Sequence, residues 1–406
     1  MNLYNLTFQS IRFLLLPFAL VYGAVVWLRN KLFDRNILRG TAFNLPVICI
    51  GNLSVGGTGK SPMAEYLLRL LKDRYQVATL SRGYKRKTKG YILAGAATTA
   101  LEIGDEPMLF HLKFPQVAVA VGEERLVAIP QLLQDKPDTQ VILMDDAFQH
   151  RYIRAGLNIL LTEYNNLFTR DFYLPTGDLR DSKSAYRRAQ LIIVTKCPED
   201  LDEVGRQQII REINPLEGQS VFFASLEYGT PYHIITNAAL SLDKDMELLL
   251  VCGIANPKPL KAYLEKETSS YENITYNDHH IFSIDDLKAI RKRFDQMTAD
   301  KKIILTTEKD GVRLLKFHQE LAALPLYVIP VRHKILFGQA ERLDEGEQLI
   351  MVGGNRCCRE LLALEIGKRV DARAVADHKR FIDARDGRQV EGLDLETSRC
   401  GCGKRA

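Results

Sequence analysis

A glycine-rich segment that ends in lysine and serine is the first part of the sequence with the residue types for chemistry. It reads GNLSVGGTGKSP and covers residues 51–62. Its later glycines can adopt backbone angles that other residues avoid, so phosphate oxygens can approach the main chain. In phosphate-binding loops the lysine contacts the terminal phosphates and the hydroxyl binds Mg²⁺, here Lys60 and Ser61. The segment therefore predicts a nucleotide site, although Ser54 stands where the standard pattern has its first glycine.

The residues on either side of this loop have the patterns of a strand and a helix. LPVICIGN is short, apolar and β-branched, and SPMAEYLLRLLKDR has apolar residues at helical spacing. This is the context that a phosphate site requires, because a helix N terminus directs unpaired N–H groups at the anion. The alternative is a glycine turn that binds nothing. The predicted nucleotide-binding residues are Ser54, Val55, Gly56, Gly57, Thr58, Gly59, Lys60 and Ser61.

A pair of carboxylates follows a second apolar strand. In VILMDDAFQH the strand runs directly into Asp145 and Asp146. Carboxylates at the end of a parallel strand lie in the crevice where open α/β sheets bind ligands. A metal ion bound there would neutralise charge on a transferring phosphoryl group. We therefore predict Ser61, Asp145 and Asp146 as Mg²⁺ ligands, with a solvated turn as the alternative.

The rest of the chain alternates short apolar runs with helical patterns. YQVATLSRGY, LNILLTEY and AQLIIVTKCP each end in polar or glycine residues, as strands of a parallel sheet do. MELLLVCGIANPKPLKAYL then starts the pattern again. The sequence therefore predicts an α/β fold with a P-loop NTPase-like, largely parallel sheet and a second, smaller α/β domain.

Length and composition permit two domains with separate cores. The chain has 406 residues, of which 46% are hydrophobic and 26% charged, and its net charge is +5. The charge is spread without a basic run that alternates with aromatics, so nucleic acid is not an expected partner. The number of cysteines, seven, is odd, which is typical of unpaired thiols in a reducing compartment.

An apolar segment near the amino terminus predicts a membrane-anchor helix. FLLLPFALVYGAVVWL, residues 13–28, carries no charge, and basic residues follow it at positions 29, 31, 35 and 39. The segment is slightly shorter than the roughly 20 residues that span a bilayer. Basic residues after the apolar run argue against a cleaved signal peptide and place the body of the protein on the cytoplasmic side. A buried helix of the soluble body is the alternative.

Nine segments in a fixed order make the sequence resemble the tetraacyldisaccharide 4'-kinases of lipid A synthesis. They are GNLSVGGTGKSP, LSRGYKRK, GDEPML, DDAFQH, GDLRD, VTKCP, GIANP, NDHH and TTEKDGVRL. The resemblance covers about residues 1–340, and Ser54 is one of the family's own variations. Two departures are small: Ser61 replaces a common threonine but keeps the hydroxyl, and Ala147 replaces a common glycine.

This resemblance implies transfer of the γ-phosphoryl group of ATP to the 4'-hydroxyl of an acylated glucosamine disaccharide 1-phosphate. ATP and Mg²⁺ would be the cofactors, the lipid and the membrane the partners, and the cytoplasmic face of the inner membrane the location. Lys60 would hold phosphate, Asp105 of GDEP would accept the hydroxyl proton, and His279 of NDHH would orient Asp105. Without the resemblance, the alternative interpretation of GDEP is a polar turn with a helix cap, and that of TTEKD is a strand end with capping residues. The resemblance assigns substrate binding to Arg82, Arg125, Gln149 and His280.

These observations divide the chain into four parts. They are an N-terminal membrane anchor (1–40), a P-loop kinase domain (41–234), a C-terminal α/β domain (235–340) and an atypical tail (341–406). The tail lies beyond the resemblance and is expected to be disordered. Its CC and CGC pairs lack the usual spacing of zinc ligands.

A protein of another class would have the same loop and acids. A membrane-associated P-loop NTPase that acts as a switch or assembly factor would hydrolyse its nucleotide without transferring phosphate. A GTPase of that kind needs an Asn-Lys-x-Asp segment after a strand, and VTKCP lacks both the Asn and the Asp. A soluble carboxylase-like synthetase is a third candidate, which the amino-terminal apolar run disfavours. The kinase is the expected function.

Overall fold

The computed structural model describes Arg12, residues 14–340 and Leu343. The predicted tail lies outside the described residues, apart from Leu343. The first elements in chain order are α1 (Leu16–Asp34), β1 (Val47–Asn52), α2 (Lys60–Leu71), β2 (Val77–Ser81), β3 (Ile92–Leu93), α3 (Ala100–Ile103), α4 (Asp105–Lys113), β4 (Ala118–Val121), α5 (Arg125–Asp135), β5 (Val141–Met144), β6 (Leu157–Glu163), β7 (Leu191–Thr195), α6 (Glu203–Ile213) and β8 (Ser220–Tyr228). They are followed by β9 (Tyr232–His233), β10 (Glu247–Cys252), α7 (Lys258–Glu267), β11 (Ser270–Thr275), α8 (Ile284–Asp295), β12 (Lys302–Thr307), α9 (Glu308–Leu314), α10 (His318–Leu321), β13 (Leu326–Ile329) and β14 (Val331–Ile335).

The larger of two β-sheets has nine strands in the order β14-β8-β7-β6-β1-β5-β2-β4-β3. Its strands run parallel except for β14 and β3, which are antiparallel to their neighbours at the two edges. Neighbouring residues of β1, Cys49 and Ile50, belong to two different hydrophobic cores, one on each face of the sheet. Because both faces are covered, a strand such as β5 is apolar and buried along its whole length.

Strands β1 and β5 are neighbours in the middle of this sheet, with Cys49 opposite Met144. The predicted phosphate loop follows β1 and the predicted acids follow β5, so both lie at the carboxyl edge of the sheet. Open α/β sheets bind their ligands at this edge. A Cβ atom on Gly51 would lie 2.5 Å from Cβ of Phe148, so glycine is needed where the segment after β5 packs on β1.

The smaller sheet has five strands in the order β11-β10-β12-β13-β9. Its strands are parallel except for β9, and a hydrophobic core lies on each face. The chain enters this sheet after β8 and returns through β14, where Val331 pairs with Tyr228. The predicted α/β class, with a large, mostly parallel sheet and a second, smaller sheet, is confirmed.

Helix α1 forms from the amino-terminal apolar segment. Among the helices of residues 14–340, none combines the length and apolar character needed to cross a membrane. One side of α1 is docked on the protein: a Cβ on Gly23 would lie 2.8 Å from the ring of Tyr173, and Asn30 donates a 2.7 Å hydrogen bond to Asp181. The rest of its surface exposes large apolar side chains, namely Phe18, Leu20, Val21, Val25, Trp27 and Leu28.

Candidate active site

The loop between β1 and α2 has one packed side and one open side. Gly59 adopts a left-handed φ of 83°, and a Cβ there would lie 2.8 Å from Nε2 of His333. A Cβ on Gly56 or Gly57 would meet no atom within 4 Å. The loop therefore rests on the protein at Gly59 and leaves space for a ligand at Gly56 and Gly57.

Lys60, the first residue of α2, is directed back across this loop. Its Nζ lies 3.3 Å from Oδ1 of Asn52 and 3.6 Å from Oδ1 of Asp146. The ammonium group thus lies between the end of β1 and the segment that follows β5. This is the position from which a lysine can neutralise phosphate charge.

The two carboxylates after β5 have different environments. Asp145 is 3% exposed, and its Oδ1 has no hydrogen-bond partner among the described residues. Burial, together with the charges of Glu106 and Asp146, raises the pKa of Asp145 to about 7. Asp146 has a φ of 49° and forms an ion pair with Arg180. Although burial acts to raise the pKa of Asp146, the hydrogen bond from Arg180 and the charge of Lys60 hold it below its usual value.

The residues around Asp145 suit a hard cation. Ser61 donates a 2.7 Å hydrogen bond to Oε1 of Glu106, so a hydroxyl and two carboxylates line the same region. Oxygen ligands of this kind are those that Mg²⁺ prefers, and the unpaired Asp145 oxygen is free to accept it. Within residues 14–340, no group of three or more His, Cys, Asp or Glu side chains is arranged to hold a metal. A site for Mg²⁺ with further oxygens from nucleotide phosphates fits these residues.

Asp105 begins helix α4 and lies where the two sheets meet. Its Oδ2 accepts hydrogen bonds from Nε of Arg313 at 2.8 Å and from Nδ1 of His279 at 2.9 Å. Although burial acts to raise the pKa of Asp105, these bonds from His279 and Arg313 hold it below its usual value. Asp105 is therefore ionised at neutral pH.

The two adjacent histidines have different neighbours. His279 adopts a φ of 61°, which turns its ring toward Asp105 and brings it edge-on to Tyr84 with ring centres 5.4 Å apart. His280 has its Nε2 3.0 Å from Oδ2 of Asp286 and stacks on Tyr276 with ring centres 4.4 Å apart. Of the pair, His279 contacts Asp105 and His280 contacts the first turn of α8.

The predicted substrate-binding residues differ in burial and in their contacts. Arg125 is 5% exposed and donates to the carbonyl oxygen of Glu123 at 3.0 Å. Gln149 donates to the carbonyl oxygen of Asn52 at 2.6 Å, next to the phosphate loop. Arg82 is exposed. Their contact with a substrate, like that of His280, stays a prediction.

Four charged residues at this site were not among the predicted site residues. Glu106 accepts hydrogen bonds from Ser61 and Lys309, so it links α9 to the phosphate loop. The others, Arg180 and Arg313, hold Asp146 and Asp105. All four lie within the segments GDEP, GDLRD and TTEKDGVRL, but nothing in a single sequence separates a site residue from a surface charge. The cap in the last segment is Thr307, because its Oγ1 accepts a hydrogen bond from the N–H of Asp310 at 3.2 Å.

Comparison with known proteins agrees with this site. The family model described as Tetraacyldisaccharide-1-P 4'-kinase matches residues 11–346. This chain belongs to that family. A tetraacyldisaccharide 4'-kinase of Bacteroides thetaiotaomicron is 44% identical over 346 residues, 82% of this chain and 91% of the relative. A tetraacyldisaccharide 4'-kinase of Flavobacterium johnsoniae is 46% identical over 327 residues, 80% of this chain and 94% of the relative. The predicted membership of the tetraacyldisaccharide 4'-kinase family is confirmed.

The fold of this family member is similar to that of a crystal structure of LpxK from Aquifex aeolicus. That structure, described as the "apo" form in complex with ATP at 2.2 Å resolution, has a TM-score of 0.66 and 28% sequence identity to this chain. The similarity covers 84% of this chain and 99% of the other. The similarity thus extends over almost the whole length of that chain.

Proposed function

We propose that this chain is a tetraacyldisaccharide 4'-kinase that transfers the γ-phosphoryl group of ATP to the 4'-hydroxyl of a tetraacyldisaccharide 1-phosphate in lipid A synthesis. The proposal rests on one observation. The open phosphate loop, at the carboxyl edge of the larger sheet, lies beside the pair formed by Asp105 and His279. The kinase relatives, and a similar fold that binds ATP, support the same activity.

The loop and its neighbours position the phosphates. The N–H groups at the start of α2 and the ammonium of Lys60 hold the β and γ phosphates. Mg²⁺, when bound, supplies positive charge that neutralises the phosphate oxygens. Ser61 and Asp145 would hold the ion, with Glu106 beside them, and Asp146 would be a further ligand.

Asp105 accepts the proton of the attacking hydroxyl in this proposal. Both of its hydrogen bonds, from His279 and Arg313, are made to Oδ2, which leaves Oδ1 for the substrate. A carboxylate with a low pKa is a weak base. In a loose phosphoryl-transfer transition state, however, the proton is lost late, and a well-placed acceptor is sufficient.

The exposed apolar side chains of α1 fit a protein whose substrate is a membrane lipid. The side of a helix that is not docked on the protein can lie in the interface of a bilayer, without crossing it, when it exposes apolar side chains. The proposal places this side on the cytoplasmic face of the inner membrane and assigns the lipid headgroup to Arg82, Arg125, Gln149 and His280. The proposed domains are the membrane anchor (1–40), the kinase domain (41–234), the C-terminal α/β domain (235–340) and the tail (341–406).

The test is transfer of labelled γ-phosphate from ATP to a detergent-solubilised disaccharide 1-phosphate. The intact chain should label the lipid in the presence of Mg²⁺, and Asp105→Asn should lose most of the labelling while still binding ATP. Hydrolysis of ATP without labelled lipid would contradict the kinase and favour the switch-type NTPase.

A further inference from the structure

Two carbonyl groups of the phosphate loop are held by side chains from distant strands. Thr195, the last residue of β7, donates from Oγ1 to the carbonyl oxygen of Thr58 at 2.9 Å. His333, in β14, has its Nε2 2.9 Å from the carbonyl oxygen of Gly59. The side chains of Thr195 and His333 lie inside the protein, with exposed fractions of 0% and 5%. Neither residue has a role in the proposed mechanism.

The chemistry of the acceptors identifies the donor atom in each of these two hydrogen bonds. A carbonyl oxygen only accepts hydrogen bonds, so the ring of His333 must carry its proton on Nε2. Burial lowers the pKa of His333, which keeps the ring neutral at physiological pH. The Thr195 hydroxyl has one proton, and its second acceptor, the carbonyl oxygen of Thr162, is farther away at 3.2 Å.

Fixing a carbonyl group also fixes the N–H group that follows it. A peptide unit is planar and trans, so its C=O and N–H point to opposite sides. With the Thr58 carbonyl directed inward to Thr195, the N–H of Gly59 is directed outward. With the Gly59 carbonyl directed to His333, the N–H of Lys60 is directed away from the helix and toward the ligand side.

We propose that Thr195 and His333 are positioning residues that orient the phosphate-binding N–H groups of Gly59 and Lys60 before the nucleotide arrives. The inference rests on the proposed ATP-dependent activity and deepens it. Binding is tighter when the donors need no reorganisation, because the cost of ordering them is met during folding.

The two contacts should contribute unequally. The Gly59 carbonyl also accepts the first hydrogen bond of α2, from the N–H of Met63 at 3.2 Å, so its direction is set in part by the helix. The Thr58 carbonyl lies outside the helix, and Thr195 is its partner in the described part of the chain. Loss of the Thr195 hydroxyl should therefore weaken ATP binding more than loss of the His333 donor.

The experiment compares isosteric and conservative variants of the full chain by calorimetric titration with ATP. Thr195→Val keeps the shape and removes the donor, and Thr195→Ser keeps the donor. We expect the Kd for ATP to rise about tenfold in Thr195→Val, as removal of one buried hydrogen bond predicts, and to stay within about twofold of the parent in Thr195→Ser. His333→Met should raise Kd about threefold, and His333→Gln, which retains a donor, should raise it less.

Steady-state kinetics separates positioning from a general loss of structure. In Thr195→Val the KM for ATP should rise while the KM for the lipid stays near the parent value, and the thermal midpoint should fall by only a few degrees. Equal losses in Thr195→Ser and Thr195→Val, or ATP affinity within twofold of the parent in both Thr195→Val and His333→Met, would overturn the inference. Failure of the parent chain itself to bind ATP or to label the lipid would instead overturn the proposed function.

Discussion

Asp105 and His279 lie 174 positions apart in the chain, yet Nδ1 of the histidine is 2.9 Å from Oδ2 of the aspartate. Asp105 begins a helix that packs on the larger sheet, whereas His279 follows the last strand of the smaller sheet's β10–β11 unit. Arg313 of α9 binds the same oxygen. The hydrogen bonds of Asp105, the proposed proton acceptor, are therefore completed only when both sheets are folded.

Replacing Asp105 with asparagine should abolish most of the transfer without affecting nucleotide binding. Proton acceptors typically contribute about 10²- to 10⁴-fold, so kcat should fall by at least about 100-fold. Asparagine keeps the size of the side chain and can still accept a bond at one oxygen. Steady-state assays with ATP and the lipid would measure kcat, and a KM for ATP near the parent value would exclude a damaged nucleotide site. A fall in kcat of less than about fivefold would contradict the proposed role.

The adjacent histidines offer a matched pair for the pH profile. His279→Ala removes the hydrogen bond that holds the pKa of Asp105 low, so the acid limb of kcat/KM should move to higher pH. His280→Ala removes a contact to Asp286 and should leave the acid limb in place, whether or not the KM for the lipid changes. Profiles between pH 4 and pH 9 would distinguish them, and an equal shift in both variants would contradict the assignment.

The raised pKa of Asp145 should make the stability of the nucleotide-free protein depend on pH. Its pKa is raised to about 7 from an ordinary value of 3.8, so the folded state binds the proton more tightly than the unfolded state. The resulting stabilisation is fully present below about pH 4 and is lost as the pH rises through 7. The variant Asp145→Asn has no group that titrates at this position, so it should not lose stability in this way as the pH rises.

Thermal unfolding of this variant and the parent gives the test. The variant should have the higher midpoint at pH 8, by a few degrees, since 1 kcal/mol corresponds to roughly 2–4 °C in a domain of this size class. The midpoints should converge near pH 4. At pH 8 the addition of ATP and Mg²⁺ should stabilise the parent more than the variant. A variant less stable than the parent at pH 8 without ligand would contradict the burial argument.

Gly59 and Gly57 should respond differently to alanine. Gly59→Ala places a Cβ 2.8 Å from His333 at a left-handed φ of 83°, so it should lower the free energy of unfolding by about 1–3 kcal/mol and weaken ATP binding. A Cβ on Gly57 meets nothing within 4 Å, so Gly57→Ala should keep the stability of the parent. Chemical denaturation would measure both, and equal destabilisation would refute the packing of Gly59 against His333.

Membrane binding through α1 can be tested with two equally exposed valines. Val25 lies on the exposed surface of α1, Val204 is the second residue of α6, and both are 62% exposed. Val25→Asp should reduce co-sedimentation with phospholipid vesicles severalfold, because it places a charge in the proposed interface. Val204→Asp should leave co-sedimentation unchanged. Loss of binding in neither variant would indicate that another surface contacts the membrane.

Local patterns were sufficient to predict that the glycine loop and the paired acids follow two strands of a parallel sheet. The glycines before Lys60 and the acids after β5 directly follow apolar segments in the sequence, and the apolar character of these segments predicts strands of a parallel sheet. That β1 and β5 are neighbours could be expected only from the class of fold, since nothing local specifies which strands pair. The family resemblance added Asp105 and His279, which spacing alone could not have joined across 174 positions.

The parts that sequence did not predict depend on contacts between distant segments. The partners of Asp105 and Glu106 on α9, Arg313 and Lys309, are charged residues in a segment that also reads as a capped strand end. Strand β14 has the alternation of any short edge strand, so its pairing with β8 was not visible. The contact between His333 and Gly59 follows from that pairing and was missed for the same reason.

The pairing of Tyr228 with Val331 makes the smaller sheet a removable module. The chain leaves the larger sheet at one residue and re-enters it at the residue directly opposite, so a short hairpin turn could join them and keep all nine strands. Such a shortened chain would retain Lys60, both acids after β5, Thr195 and His333, but would lack His279, Lys309 and Arg313. The architecture thus places the phosphate loop, the acids after β5 and the two residues that hold the loop in one continuous unit, and the partners of Asp105 in the segment inserted between β8 and β14.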